Sequence, residues 1–381
     1  MRNSSRGAVD PFIVMDVMEA ARAAEEAGRH IIHMEVGQPG TGAPPAALAR
    51  LGAAMKTDPL GYSVALGLPA LRARIARLYA EWYGVELDPG RVVVTAGASG
   101  AFLLAFTAFF DAGDRVGLGV PCYPSYRQIL RALDVVPVEI ATTMAARMQP
   151  VPGDVAAHRL DGLIVASPAN PTGTMLDRSG MAALAGACAE AGAAFLSDEI
   201  YHGLDYGQRA VSALQVTDEV CVINSFSKYF SMTGWRVGWL VVPEAEVRRI
   251  ERLAQNMFIC PPHASQVLAL HAMDEPEVLE GYRAVYAENR RLMLEGLPKA
   301  GFPRFAPPDG AFYVYVDVSE HTDDSRAFAA EILERAGVAV TPGLDFDPAG
   351  GHRWLRLSYA RATADIAEGL DRLRRFMAAR A

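Results

Sequence analysis

The stretch Asn224-Ser225-Phe226-Ser227-Lys228-Tyr229-Phe230-Ser231-Met232-Thr233-Gly234-Trp235-Arg236-Val237-Gly238 decides how the rest of the chain is read. It follows an apolar, β-branched run over 220–223 that predicts a buried strand, so the amine of Lys228 falls just past a strand end. Open α/β sheets bind ligands at such ends. Four small hydroxyl side chains, Ser225, Ser227, Ser231 and Thr233, surround the amine, and Arg236 follows. An amine can form an imine with an aldehyde while hydroxyls and a guanidinium hold a phosphate. The group therefore suits a phosphorylated aldehyde held as a Schiff base.

Elimination leads to the same residue. The 381 residues include only three lysines, Lys56, Lys228 and Lys299. Lys56 lies at the polar end of a helical pattern and Lys299 beside a helix stop, so both read as solvated charges. Lys228 alone stands in an apolar setting.

A chain of this length with 51% hydrophobic residues can bury a large core and suggests a large domain with a smaller one. The net charge of −8 and the lack of a basic tract argue against nucleic acid as a partner. The first ten residues have no apolar signal core, and 102–110 is too short to span a bilayer, so no membrane is expected and the cytoplasm is the expected compartment. Cys122, Cys188, Cys221 and Cys260 are scattered without a CxxC pair and read as thiols rather than as a zinc site.

Seven short apolar segments, 91–95, 115–118, 136–140, 163–165, 194–197, 220–224 and 237–242, alternate with helical patterns. That alternation predicts an α/β fold with a mainly parallel seven-stranded sheet covered by helices on both faces. Polar residues follow several strand ends: Tyr123, Asn170 in Ser-Pro-Ala-Asn-Pro-Thr-Gly, and Asp198-Glu199-Ile200-Tyr201. After 91–95 comes Ala96-Gly97-Ala98-Ser99-Gly100 and an apolar helix over 101–110; a glycine loop opening a helix is a natural phosphate seat. Towards the N-terminus, 11–28 predicts an arm and an amphipathic helix, and 31–36 a strand ending in Gly37-Gln38-Pro39-Gly40. Tyr62 sits in a Gly-flanked loop between helices. Beyond 257 the pattern becomes a long helix over 276–297, strands over 311–316, 338–341 and 354–358, and helices over 325–336 and at the C-terminus, which reads as a smaller α+β domain.

Ser225-Phe-Ser-Lys228-x-x-Ser-Met-Thr-Gly-Trp-Arg236-Val-Gly resembles the pyridoxal-phosphate attachment motif of class I/II aminotransferases, fold-type I. It is accompanied in the family's order by Gly37-Gln-Pro, Gly61-Tyr62, Gly97-Ala-Ser99, Tyr123, Asn170-Pro-Thr-Gly, Asp198-Glu-Ile-Tyr201 and Arg356-Leu-Ser, so the resemblance covers nearly the whole chain. It implies that Lys228 carries pyridoxal 5'-phosphate and then shuttles the proton at the substrate Cα. Asp198 would pair with the pyridine nitrogen, Asn170 and Tyr201 with the phenolate oxygen, and Tyr123 would stack on the ring. Ala98, Ser99, Ser225, Ser227 and Arg236 would hold the phosphate, with Tyr62 reaching the phosphate of the neighbouring subunit in a homodimer with shared sites. Arg356 would clamp the substrate carboxylate, with the Gly37 backbone and Asn170 beside it. The implied organisation is an arm and first part of the small domain over 1–45, a large cofactor-binding domain over 46–285 and a small domain over 286–381.

The departures concern the substrate. Many relatives carry Gly-Glu-Pro-Asp where this chain has Gly37-Gln38-Pro39-Gly40, and aspartate-specific members often have Trp at the position of Tyr123. The helix over 101–110 carries no cation, so a distal carboxylate has no evident partner. The expected reaction is transfer of an amino group between an amino acid with an uncharged or aromatic side chain and a 2-oxo acid. A lyase or synthase on the same fold would use the same lysine. A ligand-sensing aminotransferase-like domain is the third reading, and the acidic balance argues against it.

Overall fold

The computed structural model describes residues 1–380. Its strands are β1 (Ile32–His33), β2 (Val92–Thr95), β3 (Arg115–Val120), β4 (Val136–Ala141), β5 (Gly162–Ala166), β6 (Ala194–Asp198), β7 (Cys221–Ser225), β8 (Gly238–Val241), β9 (Tyr313–Asp317), β10 (Val338–Ala339), β11 (Thr341–Pro342) and β12 (Trp354–Ser358). The seven strands expected from the apolar segments join in one sheet of order β2-β8-β7-β6-β5-β3-β4. All neighbours are parallel except β8, which runs antiparallel to both β2 and β7.

Successive side chains of a strand point to opposite faces, and in the inner strands both faces are dry, whereas the edge strand β4 is partly exposed. Val92, Val94, Val222, Trp239 and Val241 enter one core, and Val93, Cys221, Ile223 and Leu240 the other. The second core is sealed by the helix Gly97–Phe109, whose Ala101, Phe102, Leu104, Ala105 and Phe106 are buried. The first core continues into the C-terminal part through Val314, Val316, Leu355 and Leu357. There β11, β12 and β9 form an antiparallel sheet, and β1 pairs in parallel with β10. The helix Pro276–Lys299 runs without a break through residues 285 and 286.

Most expected elements shift by a residue or two at their ends, and three differences bear on the site. The strand over 31–36 shortens to Ile32–His33, because its partner β10 is only two residues long and the chain then bends so that the Glu35 carbonyl meets Arg356 and Thr341. The strand over 338–341 divides at Val340, where the chain leaves β1 and joins β12. The helix expected from 101 begins at Gly97, so Ala98 and Ser99 lie in its first turn instead of in a preceding loop. Among the described residues no helix is long and apolar enough to cross a membrane.

Candidate active site

A cavity of about 330 Å³ opens at the carboxyl ends of the parallel strands. Of the residues singled out in the sequence, Gly37, Ala98, Ser99, Tyr123, Asn170, Asp198, Tyr201, Ser227, Lys228, Arg236 and Arg356 line it. Ser225 stands behind this lining, its hydroxyl bonded to the Val237 carbonyl and to the Ser227 Oγ. Tyr62 is 84% exposed and lies outside the cavity of its own chain.

Lys228 reaches into the cavity from the segment joining β7 to β8 and donates from Nζ to the Gly37 carbonyl at 2.6 Å. Burial lowers its pKa from the ordinary lysine value to about 8, and the nearby Arg356 and Arg236 guanidiniums act in the same direction. The segment is held in unusual backbone: Ser231 and Arg236 both have positive φ, 55° and 51°. Such conformations cost about 1–3 kcal/mol each in non-glycine residues and collect at functional sites. Here the turn at Arg236 brings its guanidinium back to the start of the helix Gly97–Phe109. A Cβ on Gly97 would lie 2.6 Å from Arg236 Nη2. A cation thus stands where helix amides and the positive end of the helix dipole already favour an anion.

Asp198 ends β6 and is almost wholly buried. Its Oδ2 accepts from the Tyr126 hydroxyl and its Oδ1 from the Ile200 amide at 3.1 Å. Burial raises its pKa to about 6, opposed first by the Tyr126 hydrogen bond. Glu199 turns away from the cavity, where its Oε1 accepts from Ser197, Ser212 and the Ala213 amide and ties the end of β6 to the 212–213 turn. Burial pushes the Glu199 carboxyl up to about 8.

Arg356 arrives from β12, buried and flanked by the rings of Tyr313 and Phe346 at 4.5 and 4.7 Å. Nη1 donates to Asn170 Oδ1 at 3.0 Å, and Nη2 to the Glu35 carbonyl and Thr341 Oγ1. Its Nε is buried without a partner. A carboxylate entering the cavity could supply that acceptor, which makes the guanidinium an incomplete and therefore receptive ion site.

Several lining residues escaped the sequence reading. Tyr126, the partner of Asp198, follows Tyr123 by one turn of the helix Pro124–Ala132. The Tyr313 hydroxyl meets that of Tyr201 at 2.8 Å and fills the space beside Gly37, where a Cβ would come within 1.8 Å of it. Phe12, Val14, Met15 and Met18 bring an apolar wall from the N-terminal segment. The glycine in Gly37-Gln38-Pro39-Gly40 was the one available signal for Tyr313, although a glycine does not say which group occupies the space it leaves.

The family model for aminotransferase class I and II matches residues 29–373. A valine–pyruvate aminotransferase of Mycobacterium tuberculosis is 46% identical over 98% of this chain and 97% of its own. The crystal structure of a Mycobacterium tuberculosis aminotransferase is 45% identical with a TM-score of 0.97, covering 100% of both chains. A Methanococcus jannaschii structure, described as similar in its active site to kynurenine aminotransferases, is 31% identical with a TM-score of 0.90 over 99% of this chain and 100% of that one. With the strand-end lysine, the buried aspartate and the receptive arginine in one cavity, these matches make the chain a member of aminotransferase class I and II, a transferase that moves an amino group between an amino acid and a 2-oxo acid.

Proposed function

We propose that the chain uses pyridoxal 5'-phosphate on Lys228 to exchange an amino group between an amino acid with an uncharged, apolar side chain and a monocarboxylic 2-oxo acid. The residues fit the cofactor. A helix start with a guanidinium packed on Gly97 suits its phosphate, a buried carboxyl at Asp198 suits a basic ring nitrogen, and a partly buried amine stands between them. When bound, pyridoxal phosphate supplies an aldehyde for the amine and a ring that accepts the electron pair left at Cα as its proton departs.

The chain's own residues do the rest. Lys228 is the base that takes the Cα proton and the acid that returns it to the former aldehyde carbon, two bonds away across the nitrogen, and an amine poised near pH 8 serves both directions close to neutral pH. Asp198 holds positive charge on the ring nitrogen, since it is ionised above pH about 6 in its buried place. Asn170 accepts from Arg356 through Oδ1, which leaves its amide N–H as a donor, and Tyr201, its hydroxyl bonded to that of Tyr313, lines the same cavity. Arg356 receives the α-carboxylate and fixes which face of Cα meets Lys228. Tyr62, exposed on its own chain, completes the phosphate site of a second copy in a homodimer.

The substrate class rests on one observation. The cations lining the cavity are Lys228, Arg236 and Arg356, each with a role above; Phe12, Val14, Met15, Met18, Val36 and Phe102 supply an apolar wall, and, Asp198 apart, the further polar lining, such as Gln38 and Thr233, is uncharged. A second carboxylate would be desolvated there without a cationic partner. The naming of the Mycobacterium tuberculosis relative for valine and pyruvate agrees with this reading. A donor screen with pyruvate as acceptor tests it. Valine, phenylalanine or a similar donor should exceed aspartate and glutamate in kcat/KM by at least about tenfold, the equivalent of about 1.4 kcal/mol. A preference for either acidic donor would overturn the assignment, and donor loss without amination of pyruvate would favour a lyase.

A further inference from the structure

The N-terminal helix Ile13–Glu26 brings the apolar wall to the cavity, but little in its own sequence fixes its start. Its N-cap is Phe12, which has no side chain able to accept from the free amides of the first turn. Its inner face is thin: Val17, Ala21 and Ala24 meet Ile31, Leu333 and Ala339 in a small separate cluster. The missing cap comes from far along the chain. Asp345, 4% exposed, accepts from the Ile13 amide through Oδ1 at 3.0 Å and from the Val14 amide through Oδ2 at 3.2 Å.

The segment that carries this carboxylate is joined to the active site at two further points. The adjacent Phe346 lies under the Arg356 guanidinium, and the Phe346 carbonyl accepts from the Cys122 amide at 3.0 Å, directly before Tyr123. Phe12, placed by the capped turn, meets the Tyr123 ring edge-on with centroids 5.8 Å apart. One short segment, Asp345-Phe346, therefore sets three things relative to each other: the carboxylate-binding arginine, the tyrosine at the ring site and the first aromatic of the side-chain wall.

We propose that Asp345 is a positioning residue for substrate selection: by capping the helix Ile13–Glu26 from outside it, Asp345 holds Phe12 and Met15 as the surface against which the donor's side chain is sorted. The inference rests on the apolar-donor reading above. A side chain that reaches the wall gains from its being fixed, whereas the methyl of alanine is too short to depend on it. Chemistry at Cα, carried by Lys228 and Asp198, does not pass through Asp345.

The test compares phenylalanine with alanine as donors in wild type, Asp345→Ala, Asp345→Asn, Phe12→Ala and the double variant Asp345→Ala/Phe12→Ala, together with amide hydrogen exchange of the cofactor-free proteins. Losing a helix cap shifts the local closing equilibrium by about 2- to 30-fold, so exchange over residues 13–18 should quicken by that range in Asp345→Ala. Its kcat/KM for phenylalanine should fall about fivefold or more, mainly through KM, with alanine changed by less than about twofold. Asp345→Asn keeps one acceptor and should lie between; it also serves if Asp345→Ala fails to fold. In the Phe12→Ala background the Asp345 change should add little, because both act on one wall. Equal losses for both donors, or additive losses in the double variant, would overturn the role of Asp345 while leaving the substrate reading intact. A wild type that prefers aspartate would instead remove the substrate reading, with the Asp345–helix link still visible in the exchange data. Faster exchange with an unchanged donor ratio would reduce Asp345 to a structural cap and end the proposal.

Discussion

Replacing Tyr126 with Phe removes a single hydroxyl from the cavity and leaves the ring in place. The ring packs 5.0 Å from Phe102 and 5.3 Å from Tyr123 by centroid, contacts that the variant retains. What disappears is the donor to Asp198 Oδ2, leaving the Ile200 amide at 3.1 Å on the other oxygen. Asp198 already has its pKa raised to about 6 by burial, with the Tyr126 bond as the first influence holding it down. A hydrogen bond to an ionised group contributes about 1.5–3 kcal/mol, and a tenfold change in ionisation corresponds to about 1.4 kcal/mol, so half-ionisation should move upward by about 1 to 2 pH units. At pH 7 the wild-type carboxyl is mostly ionised, whereas the variant's would be half-ionised or less. Carboxyl-carbon NMR of the cofactor-free proteins, with Asp198 assigned through Asp198→Asn, measures this directly. Stability supplies a second reading. Asp198 is ionised more readily in the unfolded chain, so its contribution to stability falls as pH rises from about 4 through about 6, and in the variant that fall continues to higher pH. The stability gap between wild type and Tyr126→Phe should therefore be larger at pH 8 than at pH 4.5. An unchanged or lowered Asp198 titration, or a gap that narrows with pH, would refute the account of how this carboxylate is kept charged.

Two further outcomes are expected. The depressed pKa of Lys228 means that an ammonium loses its proton near pH 8, so capture of pyridoxal phosphate by the cofactor-free protein should accelerate through about pH 8 and level off above it. Borohydride should fix the adduct on Lys228, and a midpoint near the ordinary lysine value, or an adduct on Lys56 or Lys299, would contradict the assignment. Hybrids of Tyr62→Phe and Lys228→Ala subunits should regain activity over either parent, because one of the two shared sites then carries both defects and the other neither. Verified hybrids without that gain would place Tyr62 outside its partner's site.

The sheet was legible because its inner strands are buried on both faces and so appear as short β-branched runs bounded by polar or turn-forming residues, as at Val92-Val93-Val94 and Cys221-Val222-Ile223. Lys228 was legible through scarcity, and Asp198 through its place just at a strand end. The order of strands was not, because pairing between β2 and β8 joins residues far apart in sequence. Tyr126 was hidden in a helix where a tyrosine reads as packing, and Tyr313 in a strand of alternating tyrosine and valine, where either face could have been the buried one. Phe12 appeared to belong to the face of an amphipathic helix, yet it precedes the helix and is placed by a carboxylate more than three hundred residues later. Side chains that act through such distant partners leave only their residue type in the sequence.

The reversed strand β8 also governs when the phosphate seat can exist during folding. Gly238 pairs with Thr95 on one side and Ser225 on the other, and a Cβ there would come within 3.1 Å of the Ala98 amide nitrogen. The helix start at Ala98 and the segment bearing Lys228 thus face each other only after the last strand to be made has inserted between the first and the one just before it. That closure spans most of the large sheet's sequence, and such long-range pairings form slowly. Partly folded chains should therefore be blind to the cofactor, which would stabilise the finished sheet without guiding its assembly.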